Sequence, residues 1–447
     1  MEWSFTFTQS HKFVILKLKL LIITYYWPPA GGAGVQRWVK LTKYLAELDT
    51  EIHVLTVDPD KASYMHHDLS LTSEVADNVR VHTTDSFEII NHFARIVGKD
   101  KVPTAGFSNV DNSTIKSKVI NFFRSNLFIP DPRRGWIKYA FNKALQLIDE
   151  FGIETVITTS PPHSSQLIGL KLKEKLKINW IADLRDPWTD IYYYKILMHS
   201  FLSKRIDRYY EKKVLENSDR IITVNDDLGK LFEAKSAKIE ADKIFMLPNG
   251  YDHQDFEGLR KERTKEFIIS YTGTMSDLYN PDAFLLALAD FIHNDEIKDI
   301  RFNITGSFSS RIRNKITAMK LDTYFDYTAT LPHSEINQVQ KNADLLLLLI
   351  PEVKYDQSIV TGKIFEYMAS GNPILCLGPK NGSAANILTE SKSGQCFDRK
   401  DIAGIKDYII QAYLKFKEGE TNQEQNIILF SRKEQAKKLY QWLNDEF

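Results

Sequence analysis

The stretch with the most chemical content begins at Ser358 and reads SIVTGKIFEYMASGNPIL. A Gly-Lys pair at the start of a helix, here Gly362 and Lys363, offers backbone N–H groups and an ammonium to a phosphate. Glu366 follows three residues after Lys363, so both side chains share one helical face. A carboxylate in that position can accept hydrogen bonds from a ribose diol while the ammonium faces a diphosphate. The alternative for this pair is an i,i+3 salt bridge on the protein surface.

A second loop joins the first predicted strand to the first predicted helix and reads WPPAGGAGVQR. Its glycines allow the backbone to approach a ligand, and the N-terminus of the following helix attracts anions. A dinucleotide-binding turn needs G-x-G-x-x-G, but Gly32 and Gly34 are followed by Arg37 in place of the third glycine. The pattern favours a loop that faces a phosphate or a sugar, with a purely structural tight turn as the alternative.

Two further loops follow predicted strands in the first half of the chain. The segment TSPPHSS brings His163 to a strand end, and histidine is a hydrogen-bonding and proton-transfer group near neutral pH. The segment DLRDPW combines Asp183, Arg185, Asp186 and Trp188 in one loop. Carboxylate pairs can position hydroxyl groups or act as bases. The alternatives are a structural histidine and a buried ion pair beside a packing tryptophan.

The sequence contains no convincing metal-binding motif. Asp58 and Asp60 match the D-x-D spacing of metal-dependent sugar transferases, but an isolated pair after a strand is more typical of a turn. The two cysteines, Cys376 and Cys396, are too few for a disulfide framework or a four-cysteine zinc site. We therefore expect no metal and no bound cofactor, and we expect both thiols to stay reduced.

These loops are positioned by an alternation of strands and helices. The first half predicts strands at 18–24, 51–57, 155–159, 180–183 and 220–224, with helices at 35–48 and 167–176. The second half predicts strands at 267–271, 300–305, 345–350 and 373–377, with a helix at 282–291. This rhythm is typical of parallel sheets covered by helices on both faces, which bind ligands beyond the carboxyl ends of their strands.

The 447 residues allow two large domains or three smaller ones. We predict an α/β protein with two Rossmann-like, doubly wound domains that face a cleft, over 18–252 and 267–425. A highly charged linker spans 253–266, and residues 1–17 form a loosely attached extension. A C-terminal helix in 426–447 is able to cross back to the N-terminal domain.

Charge and hydropathy exclude some classes of partner and leave others open. The 58 Lys and Arg residues balance the 58 Asp and Glu residues, which disfavours binding to nucleic acid through bulk charge. No apolar run reaches the length of about 18 residues that a membrane-spanning helix needs, so we expect a cytoplasmic protein. Residues 191–201 are rich in aromatic and aliphatic side chains, and 204–213 are rich in Lys and Arg. Together they predict either peripheral contact with the inner face of the cytoplasmic membrane or an amphipathic helix packed on its own domain.

Taken together, these segments resemble the retaining glycosyltransferases of family 4, which have the GT-B fold. The resemblance extends from about residue 18 to the C-terminus and is strongest to the bacterial subgroup that builds surface polysaccharides. It rests on WPPAGGAGVQR, TSPPHSS, DLRDPW, ITVNDDL, PNG, YTGT, LPHSEI and GKIFEYMASGNPIL. It implies metal-independent transfer of a sugar from a nucleotide-sugar donor to a hydroxyl acceptor, with retention. It also implies an N-terminal acceptor domain and a C-terminal donor domain. With a sugar acceptor in view, the apolar and basic segments at 191–201 and 204–213 predict that this acceptor is a lipid-linked glycan.

The resemblance also implies roles for individual residues. His163 would contact the donor sugar, Glu366 would hold the nucleotide ribose, and Lys363 would face the diphosphate. The implied donor-binding residues are Gly32, Gly34, Asn249, Gly250, Gly273, Thr274, Ser358 and Gly362. The implied acceptor-side residues are Arg37, Asp183, Arg185, Asp186 and Trp188.

The sequence departs from the family pattern in two places. Ser358 stands where the first glutamate of the family's glutamate pair is expected, eight residues before Glu366. Thr274 and Tyr279 stand where many members have the arginine and lysine of a phosphate clamp. Lys363, or Arg311 with Arg313, would then supply the missing positive charge. These departures keep two alternatives open, namely an epimerase or phosphorylase with the same fold and a non-catalytic GT-B scaffold.

Overall fold

The computed structural model describes residues 17–64, 66–88, 122, 125–191, 194, 197–294, 297–420 and 425–447. The predicted extension at 1–17 lies outside the described residues except for Lys17.

The N-terminal domain is built on one parallel sheet. Its strands are β1 Leu18–Ile23, β2 Thr50–Val57, β3 Val79–Thr84, β4 Thr155–Ser160, β5 Asn179–Leu184, β6 Arg220–Thr223 and β7 Ile244–Met246. Their order across the sheet is β3-β2-β1-β4-β5-β6-β7, and every neighbouring pair is parallel. The helices described in this domain are α1 Ala33–Leu45, α2 Ile137–Phe151, α3 Ser164–Lys175, α4 Phe201–Asn217 and α5 Asp226–Glu233.

The C-terminal domain repeats this design with a second parallel sheet. Its strands are β8 Phe267–Thr272, β9 Ile300–Thr305, β10 Phe325–Thr328, β11 Leu345–Leu349, β12 Ile374–Leu377 and β13 Gly394–Phe397. Their order is β10-β9-β8-β11-β12-β13, again with parallel neighbours. The helices described after β8 are α6 Asp282–Asn294, α7 Ser310–Ala318, α8 His333–Asn342, α9 Lys363–Ser370, α10 Ser383–Ser391, α11 Ile402–Glu418 and α12 Arg432–Glu446.

Each sheet divides its side chains between two apolar cores. In β1, Leu21 and Ile23 enter the core shared with α2 and α3, while Leu20 and Ile22 enter the core shared with α1 and α12. Because successive strand residues point to opposite faces, the buried part of a strand covered on both sides is a continuous apolar run, here residues 20–23. The five leucines of β11 show the same division. The predicted fold, two Rossmann-like α/β domains, is confirmed.

The chain crosses from the second domain back to the first through α12. Ala436, Leu439 and Leu443 are fully buried in the N-terminal core beside Trp38, and the ring of Trp442 stacks on Phe245 at 4.3 Å. The helix starts at Arg432 rather than near residue 426, because the Ser431 hydroxyl accepts a hydrogen bond from the Glu434 N–H and caps it there. Within the described residues, no helix is long and apolar enough to cross a bilayer.

Replacing Leu439 with Ala should destabilise the N-terminal domain by about 2–5 kcal/mol, because it removes a fully buried side chain and leaves a cavity. Tryptophan fluorescence during urea unfolding would measure this, since the sequence has no Trp between Trp188 and Trp442. Gln441→Ala, at an exposed position of the same helix, should change stability by no more than about 0.5 kcal/mol. An unchanged fluorescence midpoint in Leu439→Ala would contradict the packing of α12 on the first domain.

Candidate functional site

The carboxyl ends of the two sheets face each other across a cleft. Asn225, which follows β6, donates its amide N–H to the carbonyl oxygen of Ser358, in the segment after β11, at 2.9 Å. Nearby, Ser383 at the start of α10 donates its hydroxyl to the carboxylate of Asp227 in α5 at 2.8 Å. Both contacts join loops at strand ends, so the predicted site loops of the two domains open into one cleft.

On the N-terminal side, the glycine loop between β1 and α1 supports a guanidinium. Gly32 precedes α1 with a φ of 110°, and a Cβ at this position would meet nothing within 4 Å. A Cβ on Gly34 would lie 2.3 Å from Nη1 of Arg185, so a larger residue here would displace the Arg185 guanidinium. Arg185 is held by the carbonyl oxygens of Ser160 and Pro161, at 3.0 and 3.2 Å. The start of α1 therefore combines helix N–H groups with a fixed positive charge.

Arg37 and Asp183 form the framework beneath this loop. Both are fully buried, and Arg37 Nη2 lies 3.3 Å from Asp183 Oδ1. Asp183 also accepts hydrogen bonds from Trp38 Nε1 at 2.8 Å and from the Thr159 hydroxyl at 2.7 Å. Neither Arg37 nor Asp183 has solvent-exposed atoms that a bound molecule could contact in this conformation. Both therefore position their neighbours instead of lining the cleft.

Arg37 also holds the turn that leads toward the second domain. Its guanidinium donates to the carbonyl oxygens of Leu247 and Pro248, at 3.0 and 3.1 Å, and to Asn249 Oδ1 at 3.3 Å. A Cβ on Gly250 would lie 2.2 Å from the carbonyl oxygen of Phe430, so glycine is needed where the crossing segment passes. Asn249 and Gly250 thus contact Arg37 and the crossing segment.

His163 lies at the end of β4 as a neutral imidazole. Its ring stacks on Trp188 with centroids 4.5 Å apart, and Trp188 Nε1 donates to the Asp207 carboxylate at 3.1 Å. Burial, reinforced by the charge of Arg185, lowers the pKa of His163 to about 3. Its Nδ1 is buried and makes no hydrogen bond to the described residues. The ring is therefore held in place by stacking, and its Nδ1 has no hydrogen-bond partner among the described residues.

Asp186 and Trp188 differ in what they offer the cleft. Trp188 is buried beneath His163, so it supports the imidazole instead of forming the cleft surface. Asp186 is half-buried, and its carboxylate makes no hydrogen bond to the described residues. Burial raises the pKa of Asp186, and the charge of Arg185 opposes this shift. Within this loop, Asp186 and Arg185 are thus the charged groups that remain accessible to a ligand.

On the C-terminal side, Lys363 lies against the turn that follows β8. A Cβ on Gly273, whose φ is 104°, would lie 3.2 Å from Lys363 Nζ. That ammonium donates to the Tyr271 hydroxyl at 2.9 Å and lies 4.3 Å from the centre of the same ring. Burial lowers the pKa of Lys363 to about 8, and Glu366 opposes the shift. The ammonium is thus poorly solvated and mostly charged at pH 7, a combination that suits binding of an anion.

Glu366 shares the first turn of α9 with Lys363, and Gln340 positions it. The fully buried Gln340 donates through Nε2 to the Glu366 carboxylate at 3.1 Å and to the Thr272 hydroxyl at 3.2 Å. Tyr367 also anchors Thr272, whose backbone N–H donates to the tyrosine hydroxyl at 3.0 Å. The carboxylate is therefore held in place by α8 and β8.

The remaining donor-side candidates are spread around this centre. Gly362 immediately precedes α9, and the exposed Thr274 accepts a hydrogen bond from Ser307 at 3.2 Å. Ser358 uses its hydroxyl to donate to the carbonyl oxygen of Tyr355 at 2.8 Å. The guanidinium of Arg313 lies over the rings of Phe308 and Tyr327, at 5.0 and 5.3 Å, and Arg311 is exposed on the same helix.

The described residues that could hold a metal ion are Glu74, Asp252 and Asp255, whose carboxylate oxygens lie within 4.8 Å of one another. Lys40 pairs with all three, at 2.9 Å from Asp252 and 2.7 Å from Asp255. These carboxylates raise the pKa of the Lys40 ammonium despite its burial. An adjacent cavity of about 570 Å³ is lined by the end of α1, on the side away from the strand-end loops. The ammonium thus already provides a cation for these carboxylates.

Sequence reasoning missed several residues that hold the site together. Gln340 and Asp207 are polar residues of ordinary helices, and nothing in their local pattern marks them, whereas Asn225 lies in the segment ITVNDDL but had no predicted role. Arg432 does carry a signal, because it shares the spacing of the buried residues Ala436, Leu439 and Leu443 in α12. A charged residue on the apolar face of a helix is buried when that face packs, so a partner of opposite charge is expected.

The His163 imidazole should not titrate between pH 5 and 8, because its pKa lies near 3 in the folded protein against about 6.5 in an unfolded chain. The unfolded state then binds more protons between those values, so this group lowers the stability of the fold as pH falls from about 6.5 to 3. NMR of protein with ¹³C-labelled histidine would measure the titration, and His163→Gln identifies the resonance. A midpoint between pH 5 and 8 would contradict the buried, stacked arrangement.

Comparison with known proteins supports the same architecture. Residues 103–255 match the family profile described as Glycosyltransferase Family 4. No curated protein sequence matches the chain.

Solved structures match over nearly the whole length. Sucrose-phosphate synthase from Thermosynechococcus elongatus is 13% identical, with a TM-score of 0.58 over 96% of this chain and 98% of that one. HepE of Anabaena in complex with UDP is 11% identical, with a TM-score of 0.58 over 96% and 100%. The lipopolysaccharide outer core galactosyltransferase WaaB is 12% identical, with a TM-score of 0.57 over 96% and 100%. The chain therefore has the GT-B fold, and about a third of it matches glycosyltransferase family 4.

Proposed function

We propose that this protein is a retaining glycosyltransferase that moves a sugar from a nucleotide-sugar to a hydroxyl acceptor. The observation that carries this proposal is the pairing of Lys363 and Glu366 on the first turn of α9, against Gly273. The ammonium suits a diphosphate, and the fixed carboxylate suits a ribose. The open glycine turn would let both groups approach the backbone closely. The family match over residues 103–255 and the GT-B fold support sugar transfer as the reaction class.

The donor would bind mainly to the C-terminal domain. Glu366, held by Gln340, would accept hydrogen bonds from the ribose hydroxyls, and Lys363 would pair with the diphosphate. Gly273 would let the backbone approach the same phosphates. The structure of HepE was solved with UDP, which supports a nucleoside diphosphate as the leaving group.

During transfer, the bond between the anomeric carbon and the phosphate oxygen breaks, and a bond to the acceptor oxygen forms on the same face of the sugar. The acceptor proton passes to the departing phosphate oxygen, so the products are the glycoside and a nucleoside diphosphate. Lys363 and the N-terminus of α9 would stabilise the charge that develops on that leaving group. We propose that these charges make a metal ion unnecessary.

The neutral His163 would contact the sugar from the N-terminal side. A neutral imidazole can donate one hydrogen bond and accept another, which suits a sugar hydroxyl next to a developing positive centre. Its stacking on Trp188 fixes the ring before the donor arrives. Asp186 and Arg185, on the adjacent loop, would orient the acceptor hydroxyl.

The acceptor is proposed to be lipid-linked, with the protein at the inner face of the cytoplasmic membrane. Phe201 and Leu202 begin α4 and are 82% and 65% exposed. Lys204, Arg205 and Arg208 follow on the same helix. Apolar tips beside basic side chains suit the interface of an anionic bilayer. Residues 192, 193, 195 and 196 of the predicted membrane-contact segment lie outside the described residues.

A non-catalytic scaffold remains a second candidate, favoured by Ser358 and Thr274. Ser358 uses its hydroxyl within its own turn and its carbonyl oxygen in the contact between the domains. Nucleotide binding separates the two proposals, because a scaffold that has lost its donor chemistry binds none.

Calorimetric melting with UDP, GDP, ADP and their sugar conjugates tests the donor site. At a hundred times its dissociation constant, a nucleotide should stabilise the wild type by about 2.7 kcal/mol. Glu366→Ala and Lys363→Ala should reduce this shift, whereas the exposed Glu390→Ala should retain it. No shift with any nucleotide would favour the scaffold. With the active nucleotide-sugar, NMR of the product would reveal the anomeric configuration, and inversion would refute the proposed stereochemistry.

Flotation with liposomes tests the membrane proposal. Wild-type protein should float with anionic vesicles and less with zwitterionic ones, and Phe201→Ser with Leu202→Ser should reduce flotation. The matched control is Ile428→Ser with Leu429→Ser, which removes an apolar pair that is 57% and 59% exposed elsewhere on the surface. Equal flotation of both double variants, or none by the wild type, would refute contact through α4.

A further inference from the structure

Arg432, the first residue of α12, is a buried cation without a partner among the described residues. The residue is 5% exposed, and its Nη1 is fully buried without a hydrogen bond. Within the described chain, its guanidinium forms no salt bridge. An ionised group removed from water without a partner carries a large free-energy cost. Arg432 therefore has the properties of a side chain that awaits a ligand.

The surroundings of Arg432 indicate that this ligand is an anion. Burial lowers the pKa of Arg432 to about 9, and the nearby guanidinium groups of Arg37 and Arg185 contribute. Asp252 and Asp255 oppose the shift, but Lys40 already pairs with both, at 2.9 and 2.7 Å. A cation at the first residue of a helix also faces the positive end of the helix dipole. A bound anion would relieve all of these unfavourable interactions.

Arg432 lies where the turn at Asn249, α1 and α12 meet. Its backbone N–H donates to the carbonyl oxygen of Tyr251 at 2.8 Å, and Asn249 of the same turn accepts from Arg37 at 3.3 Å. Of the two neighbouring arginines, Arg37 has Asp183 as its own counter-ion at 3.3 Å. Arg185 instead lies against Gly34 in the first turn of α1, on the cleft.

We propose that Arg432 binds a phosphate group at the point where the turn at Asn249, α1 and α12 meet, and that Arg185 adds positive charge from the start of α1. The planar guanidinium of Arg432 matches the geometry of phosphate oxygens and would bind them through charge-assisted hydrogen bonds. This site supplies positive charge that Thr274 and Tyr279 do not. This proposal rests on the proposed function only for the identity of the molecule that contains the phosphate. That molecule is either the nucleotide donor or a lipid diphosphate acceptor.

Titration of the full-length protein with inorganic pyrophosphate, at constant ionic strength, tests this site. Arg432→Met should weaken pyrophosphate binding about 10- to 100-fold, the effect of losing charge-assisted hydrogen bonds. Lys433→Met removes the same charge from the next, exposed position and should leave binding unchanged. Arg432→Lys keeps the charge without the planar fork and should bind with intermediate affinity.

A second readout separates this role from a structural one. Arg432→Met removes an uncompensated buried charge, so its melting temperature without anion should equal or exceed that of the wild type. Pyrophosphate should then raise the melting temperature of the wild type more than that of the variant. If Arg432→Met melts lower and binds pyrophosphate as tightly as the wild type, the guanidinium is structural and the proposal is overturned.

Parallel titrations with nucleotides and a lipid diphosphate identify the molecule that contains the phosphate. They also separate failure of the phosphate site from failure of the proposed transferase function. If UDP, GDP or ADP loses affinity in Arg432→Met, the site binds the donor. If only a short-chain prenyl diphosphate loses affinity, the site binds the acceptor. Equal binding of every ligand to both proteins overturns the phosphate site and leaves the proposed transferase intact. If pyrophosphate discriminates between the proteins but no nucleotide binds the wild type, the phosphate site stands and the proposed donor fails.

Discussion

The buried ion pair between Arg37 and Asp183 is the interaction on which the cleft depends. It joins α1, β5 and the turn at residues 247–249, three segments that are far apart in the chain. Trp38 and Thr159 complete the hydrogen bonds of the carboxylate. Removing one partner of such a pair leaves a buried charge, at a cost of about 3–5 kcal/mol, so the three segments are constrained together. The position of Gly34 relative to Arg185 and of Asn249 relative to the crossing segment follows from this constraint.

The same electrostatic rule separates the structural residues from the candidate ligand-binding ones. Arg37 and Asp183 have each other and several further partners, and they therefore position loops. Arg432 has no partner among the described residues, and His163 has an unused buried Nδ1. Among the described residues, the Lys363 ammonium donates to an uncharged hydroxyl and lies over two aromatic rings, with the charge of Glu366 nearby. Groups of this second kind are the candidates for binding a ligand.

The apolar pattern made much of the fold predictable, and its exceptions have physical reasons. The strand predicted at 300–305 coincides with β9, because Ile300, Phe302 and Ile304 alternate with polar residues and enter one apolar core. The edge strand Val79–Thr84 was missed, because four of its six residues are polar and only Val79 is buried. The predicted helix at 35–48 begins two residues after α1 and extends beyond it. Helix ends depend on capping and packing more than on apolar spacing.

For the candidate site, local sequence predicted the loops, and the tertiary structure decided the roles within them. Glycines before helices and polar residues after strands follow from backbone geometry. The sequence alone was therefore enough to select Gly32, Gly34, Gly362 and Lys363 as candidate site residues. Whether Asp183 faces a ligand or Arg37 depends on a contact between residues 146 positions apart. The burial of Arg432 depends on α12 crossing to the other domain. Desolvation and pairing determine what a charged side chain does, and both are properties of the packed chain.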